Sequence, residues 1–131
     1  MVSALYVVFG ALFIIKLALN VVHLRRQYRV SIGDGGVSDL QLAIRIHGNA
    51  VEYIPLALLL LVVMEMNGAD IWIVHLLGLF FFFGRLLHAH GLRSRTQLWR
   101  RNGMLLTLIS LAGMIIVNLI FLPWDLMLTL H

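Results

Sequence analysis

The stretch RIHGNAVEYIP, residues 45–55, places ionisable and polar side chains inside an apolar segment that runs from residue 40 to residue 66. A helix needs about 20 residues to cross a bilayer, and this segment is long enough. Ionisable groups at membrane depth are costly, so they usually face a protein interior or a wet cavity. Residues 45–55 therefore predict a membrane-spanning helix and also the place where function should be sought.

Three further apolar segments occupy roughly residues 4–22, 71–92 and 104–122. Hydrophobic residues make up 61% of the 131-residue chain and charged residues 12%, a balance that excludes an ordinary soluble domain. The first segment has no basic residue before it and no small-residue cleavage site after it, so we expect it to remain as a helix. We predict one all-α domain over residues 1–131, an integral membrane four-helix bundle.

Arginines are concentrated in two of the three connections. The first connection carries Arg25, Arg26 and Arg29. The third connection carries Arg93, Arg95, Arg100 and Arg101. The turn at residues 67–70 and both termini carry no Lys or Arg. The positive-inside rule therefore predicts that both arginine-rich loops are cytoplasmic and both termini periplasmic in an inner membrane.

These arginines also account for the isoelectric point of 10.4, which therefore requires no nucleic-acid partner. Two interpretations of them stay open. They anchor the topology near anionic lipid headgroups, or they converge on a polyanionic ligand and hold its carboxylates.

Arg45, Asn49 and Glu52 fall at i, i+4 and i+7, which places them along one stripe of a helix. A structural interpretation pairs Glu52 with Arg85 of the third segment and leaves Asn49 to bridge helices. The functional interpretation is a polar cavity that presents both charge signs. Arg85 and His88 share a face three residues apart, near the arginine-rich end.

Other buried polar residues favour structural roles. Lys16 lies too deep to reach the headgroups easily, so we expect it to face the bundle interior. Asn118 is expected to make an interhelical hydrogen bond. His47, His88 and His90 keep a haem or metal site as a minor alternative, but their spacing lacks a ligand cluster and the chain has no cysteine, so we predict no metal site.

The chain resembles the MAPEG family, the membrane-associated proteins in eicosanoid and glutathione metabolism. This family includes microsomal glutathione transferases and the leukotriene and prostaglandin synthases. The resemblance rests on the four-span layout and on these residues: RRQYRV at 25–30, Arg45, Asn49, Glu52 and Pro55 with their spacing, FGR at 83–85, and His88. Leu92 departs from the pattern, since the well-studied synthases carry a tyrosine there, and Gly48 replaces a residue that is basic in one relative.

The resemblance implies a homotrimer that binds glutathione at each subunit interface, reached from the cytoplasmic side. Glu52 would take the ligand's ammonium, Asn49 a backbone amide, and a neighbouring subunit's arginine a carboxylate. The residues implied to bind are Arg45, Asn49, Glu52, Arg85 and His88, with Arg25, Arg26 or Arg29 from the neighbour.

The activity implied is that of a transferase or peroxidase acting on lipophilic small molecules supplied by the membrane. In the family the activating arginine stands at the start of the fourth helix, where this chain offers Arg100 or Arg101, and a guanidinium there favours the reactive thiolate. Two alternatives are a proton-coupled exporter of lipophilic cations that uses Glu52, and a non-catalytic membrane protein. The arginines favour an anionic cosubstrate over an exported cation.

Overall fold

The computed structural model describes residues 1–129 of the protein, which form five helices and no strands. The helices are α1 (Ser3–Tyr28), α2 (Ser38–Met66), α3 (Ile71–Ser94), α4 (Gln97–Phe121) and the short α5 (Trp124–Leu128). The first four are long and apolar enough to cross a membrane. The predicted all-α fold with four spans is therefore confirmed over these residues, while association into a homotrimer stays a prediction.

The helices extend beyond the apolar segments at the arginine-rich end. α1 continues to Tyr28, so Arg25 and Arg26 belong to its last turn. α4 begins at Gln97, so Arg100 and Arg101 are helical as well. The helices are longer here than the apolar segments that end near residue 22 and begin near residue 104, because arginine is a good helix former and the helix continues beyond the apolar residues. The third connection shrinks to residues 95–96.

α2 lies at the centre of the bundle, where it packs against α1, α3 and α4. The most extensive interface is between α3 and α4, whereas α1 has no interface with α4. At one end, Arg95 donates a hydrogen bond to Ser38 Oγ and forms an ion pair with Asp39. Both arginine-rich connections therefore meet at the same end of the molecule. Which side of the membrane that end faces stays a prediction.

Three glycines let α3 and α4 approach closely. A Cβ added to Gly91 would lie 2.2 Å from the backbone nitrogen of Arg100, and one added to Gly103 would lie 2.3 Å from that of His88. At Gly84 the nearest atom is the backbone nitrogen of Thr107, at 2.9 Å. Small residues at membrane helix interfaces allow such backbone contact. The register of α3 against α4 is therefore fixed along the whole arginine-rich half.

Two expectations for single polar residues have opposite outcomes. Asn118 donates to the backbone oxygen of Leu60 at 3.1 Å, so the predicted interhelical bond is confirmed. Lys16 is exposed on the outer surface of the chain, so the prediction that it faces the bundle was wrong. Lys16 stands about 100° around α1 from Leu17, which is buried. Because apolar residues lie on every side of α1, the sequence did not distinguish the exposed face from the buried one.

At the opposite end, Glu65 of α2 caps α1. Its carboxylate accepts hydrogen bonds from the backbone nitrogens of Val2 (2.7 Å) and Ser3 (3.0 Å) and from Ser3 Oγ (2.6 Å). Unpaired N–H groups at a helix start favour such a partner. Glu65→Gln keeps one acceptor oxygen and loses the charge, so we expect a free energy of unfolding lower by about 1 kcal/mol.

Thermal unfolding in detergent measures this effect. Asp70→Asn is the matched control, because it removes a carboxylate charge from the same end while an amide oxygen can still accept the hydrogen bond that Asp70 takes from Trp72. Equal unfolding midpoints for the two variants would show that Glu65 does not hold α1.

Candidate functional site

A cavity of about 340 Å³ lies between α2, α3 and α4 at the arginine-rich end. The residues that line it are Arg45, Asn49, His88, Leu92, Gln97, Arg100, Arg101 and Met104. A second cavity of about 300 Å³ shares Arg45, Leu92, Gln97 and Arg100 with it. We call the first one the Arg45 cavity.

Three helices bring five of the predicted site residues together here. α2 supplies Arg45 and Asn49, one turn apart; α3 supplies His88, which is 5% exposed; and α4 supplies Arg100 and Arg101. The close backbone contacts of Gly91 with Arg100 and of Gly103 with His88 hold α3 against α4 at the depth of the cavity. The site depends on close backbone packing, not on side chains alone.

Positive charge dominates the Arg45 cavity. Each charged side chain that lines it within residues 1–129 is an arginine. The ion pair found among the described residues joins Arg95 to Asp39, at 3.9 Å between two exposed side chains. Arg45, Arg100 and Arg101 therefore have no carboxylate partner in the described part of the chain. Guanidinium groups in this state suit carboxylates, which they can bind through paired hydrogen bonds.

Arg85 lies beneath this cavity and is 2% exposed. Its Nε donates to Thr107 Oγ1 at 3.0 Å, its Nη1 donates to Asn49 Oδ1, and its guanidinium stands 4.9 Å from the ring centre of Tyr53. Nη2 is buried without a hydrogen-bond partner among residues 1–129. The predicted pair of Arg85 with Glu52 was wrong, because α2 turns Asn49 towards α3.

The bond from Arg85 determines what Asn49 offers to a ligand. Because the amide oxygen of Asn49 accepts from Arg85, the amide nitrogen with its two N–H donors is left for the cavity. Asn49 and the three arginines thus present hydrogen-bond donors. A ligand rich in carboxylate and carbonyl oxygens fits this arrangement.

Three predicted binding residues lie elsewhere in the single chain. Glu52 is exposed and does not line the Arg45 cavity. It shares a stripe of α2 with Arg45 and Asn49, but it lies about 10 Å from Arg45 along the helix axis, towards the middle of the membrane-spanning segment. Arg26 and Arg29 line a separate cleft at the end of α1, together with Val22, Arg25, Val30 and Ser31. Their predicted roles involve a neighbouring subunit and stay predictions.

Sequence reasoning missed several residues that shape the site. Thr107 accepts from Arg85 and donates to the backbone oxygen of Gly103 at 2.8 Å. Gly103 and Thr107 are four residues apart, and small residues at this spacing in an apolar segment are a signal for close helix packing. Tyr53 and Gln97 carried no comparable signal. No group of three His, Asp or Glu residues with metal-ligand geometry occurs within residues 1–129.

The chain is similar to known membrane proteins over nearly its whole length. The model of the MAPEG family matches residues 3–120. The chain belongs to the MAPEG family. Inner membrane protein YecN of Escherichia coli strain K12 is 54% identical to this MAPEG chain over 131 residues and over the full length of both. YecN of E. coli O6:H1 strain CFT073 matches it to the same extent.

These matches confirm the resemblance to the MAPEG family. Together with the four apolar helices, they make this MAPEG chain a multi-pass inner-membrane protein.

Proposed function

We propose that this MAPEG protein binds glutathione in the Arg45 cavity and uses its thiol on lipophilic electrophiles, as a transferase or peroxidase. The observation that carries the proposal is the set of donors in that cavity, three arginines without a carboxylate partner in residues 1–129 and the amide of Asn49. Glutathione has two carboxylates and two peptide carbonyls, which need such donors. The volume of about 340 Å³ falls in the range of small-molecule sites.

Each end of glutathione has a suitable partner in this proposal. Arg45 and Arg101 hold a carboxylate, and Asn49 donates to a peptide carbonyl. Arg85 keeps Asn49 in the orientation that this contact needs, and His88 closes the inner wall. A neighbouring copy in a homotrimer brings Arg26 or Arg29 to the second carboxylate and completes the surroundings of Glu52, which takes the ammonium.

Arg100 is the residue that we assign to thiol activation. Its backbone lies against Gly91, which fixes it on the α3 side of the cavity beside His88. A guanidinium near the sulfur favours the thiolate. In a transferase step the thiolate attacks an electrophilic carbon, the C–S bond forms, and the leaving group departs with the electron pair of its bond. In a peroxidase step the thiolate attacks the distal oxygen of a hydroperoxide, so that an S–O bond forms as the O–O bond breaks, and the alkoxide takes a proton and leaves as the alcohol. A second glutathione then reduces the sulfenic acid, giving glutathione disulfide and water.

The second substrate reaches the site from the bilayer. Leu92 and Met104 form an apolar part of the wall that also carries the arginines. A lipophilic electrophile dissolved in the membrane can therefore meet a water-soluble thiol at this end of the bundle. The same positive charge disfavours the alternative of a cation exporter, because it repels a cationic substrate.

Calorimetric titration of glutathione into the detergent-solubilised protein tests the proposal. We expect saturable binding, and tighter binding of glutathione than of ophthalmic acid, which lacks the thiol. Arg45→Gln removes a charge-assisted hydrogen bond worth about 1.5–3 kcal/mol, so the affinity should fall about 10- to 100-fold.

Arg93→Gln is the matched control, because Arg93 is an exposed arginine at the same end that does not line the Arg45 cavity. Its affinity should equal that of the unchanged protein. Absence of binding at millimolar glutathione, or equal losses in the two variants, would contradict the proposed site.

A further inference from the structure

Two opposite charges lie on the outer surface of the chain, in the middle of its membrane-spanning helices. Lys16 is central in α1 and Glu52 is central in α2, and both are exposed. Neither takes part in an ion pair within residues 1–129. Hydrocarbon is a poor solvent for both groups, so each needs a partner that the single chain does not supply.

The two charges lie at nearly the same depth. Contacts between α1 and α2 fix their antiparallel register: Ser3 with Glu65, Gly10 with Ile54, and Tyr28 with Asp39. By interpolation between the last two contacts, Lys16 is level with a position near residue 49. At a rise of about 1.5 Å per residue, Lys16 and Glu52 are therefore within about 5 Å of each other along the helix axes, which is nearly the same depth.

The face of α2 that carries Glu52 is also open to close approach. Gly48, one turn before Glu52, has nothing within 4 Å of the position where a Cβ would stand. Glycine on an outward face lets a neighbouring helix approach the backbone closely. Within residues 1–129 of a single chain, this open space beside Gly48 is not used by any helix contact.

We propose that Lys16 of one copy pairs with Glu52 of the neighbouring copy, with α1 of the first subunit lying against the Gly48 face of α2 in the second. Copies in one membrane with the same orientation are related by rotation about the bilayer normal, which preserves depth. In such a ring, a group on one face of a subunit meets a complementary group on a different face of its neighbour only when both lie at a similar depth. Lys16 and Glu52 satisfy this condition. The contact is head-to-tail and closes into a ring when the rotation closes.

The pairing rests on the association of copies in the proposed function, and it does not require glutathione. It also explains why Lys16 faces away from the core. A carboxylate has two oxygens and about four lone-pair sites, so Glu52 can accept from Lys16 and still bind a ligand's ammonium.

Cross-linking tests the contact directly, because the chain has no cysteine of its own. Two differently tagged chains, one with Lys16→Cys and one with Glu52→Cys, are expressed together and treated in the membrane with a short bifunctional thiol reagent. We expect a cross-linked species that carries both tags. Pairing the Lys16→Cys chain with Val63→Cys is the control, since Val63 is also exposed on α2 but lies about 16 Å further along the axis. Equal yields for both combinations, or no product from residues 16 and 52, would overturn the proposal.

Charge exchange supplies a second, independent test. Lys16→Glu and Glu52→Lys should each lower the fraction of oligomer in mild detergent, because each places like charges opposite one another. The double variant restores opposite charges and should recover the oligomer. Singles that assemble fully, or a double variant no better than the singles, would overturn the pairing. Should the exchanged charges prevent insertion, the cross-linking result alone decides.

Glutathione titration of the unchanged protein separates this inference from the proposed function. Cross-linking between residues 16 and 52 without glutathione binding leaves the pairing standing and overturns the ligand. Glutathione binding without the cross-link does the reverse.

Discussion

Gly103→Ala is expected to force α3 and α4 apart and to abolish ligand binding in the Arg45 cavity. The added Cβ would lie 2.3 Å from His88 N and 2.7 Å from Gly84 O, and neither backbone atom can move without its helix. Overpacking costs about 1–3 kcal/mol where side chains can adjust, and this contact is between backbones, so we expect a loss of about 3 kcal/mol or more.

The unfolding midpoint in detergent and the affinity for glutathione measure the two effects of this change. Gly113→Ala is the control on the same helix, because its Cβ would meet only the flexible end of Leu77, at 2.9 Å. That variant should keep both the midpoint and the affinity. If Gly103→Ala behaves like Gly113→Ala, close packing does not determine the cavity.

Removing the two arginines of α4 should have the largest effect on the ligand. Arg100→Gln with Arg101→Gln deletes two of the three positive charges in the Arg45 cavity, and hydrogen bonds to charged groups are worth about 1.5–3 kcal/mol each. We therefore expect glutathione affinity to fall by more than about 100-fold. The ultraviolet absorbance of bound thiolate should be lost as well.

The single variants separate binding from thiol activation. Arg100→Gln should lose the thiolate absorbance, whereas Arg101→Gln should keep it and lose affinity. Ophthalmic acid provides the check, since it has no thiol: its affinity should fall for Arg101→Gln more than for Arg100→Gln. Thiolate absorbance that survives in Arg100→Gln and disappears in Arg101→Gln would reverse the assignment.

The spans and one side of the site could be predicted from the sequence. Long apolar segments predict membrane helices because every backbone polar group in hydrocarbon must be paired within the segment. The spacing of Arg45 and Asn49 placed both on one stripe of α2, and both line the cavity. The residues at 25–30, 45–55, 83–85 and 88, together with the four-span layout, were also enough to indicate the family.

Partners across helices could not be predicted in the same way. The choice of Arg85 between Asn49 and Glu52 depends on the rotation of α2 about its axis, and the pattern of residues along one helix does not specify that rotation. The convergence of Arg100 on His88 depends on the backbone contact of α3 with α4. Lys16 shows the same limit, because a helix that is apolar all round gives no sign of which face is buried.

The position of the cavity has a consequence for how the protein is made. Arg45 and Asn49 belong to the α1–α2 half of the chain, whereas the rest of the lining comes from the α3–α4 half. Neither half contains all the residues that line the cavity. Met104 is the last of these residues to leave the ribosome. A newly made chain therefore gains the complete Arg45 cavity only when the second helical hairpin has inserted and docked, so binding of the proposed ligand would report completed assembly.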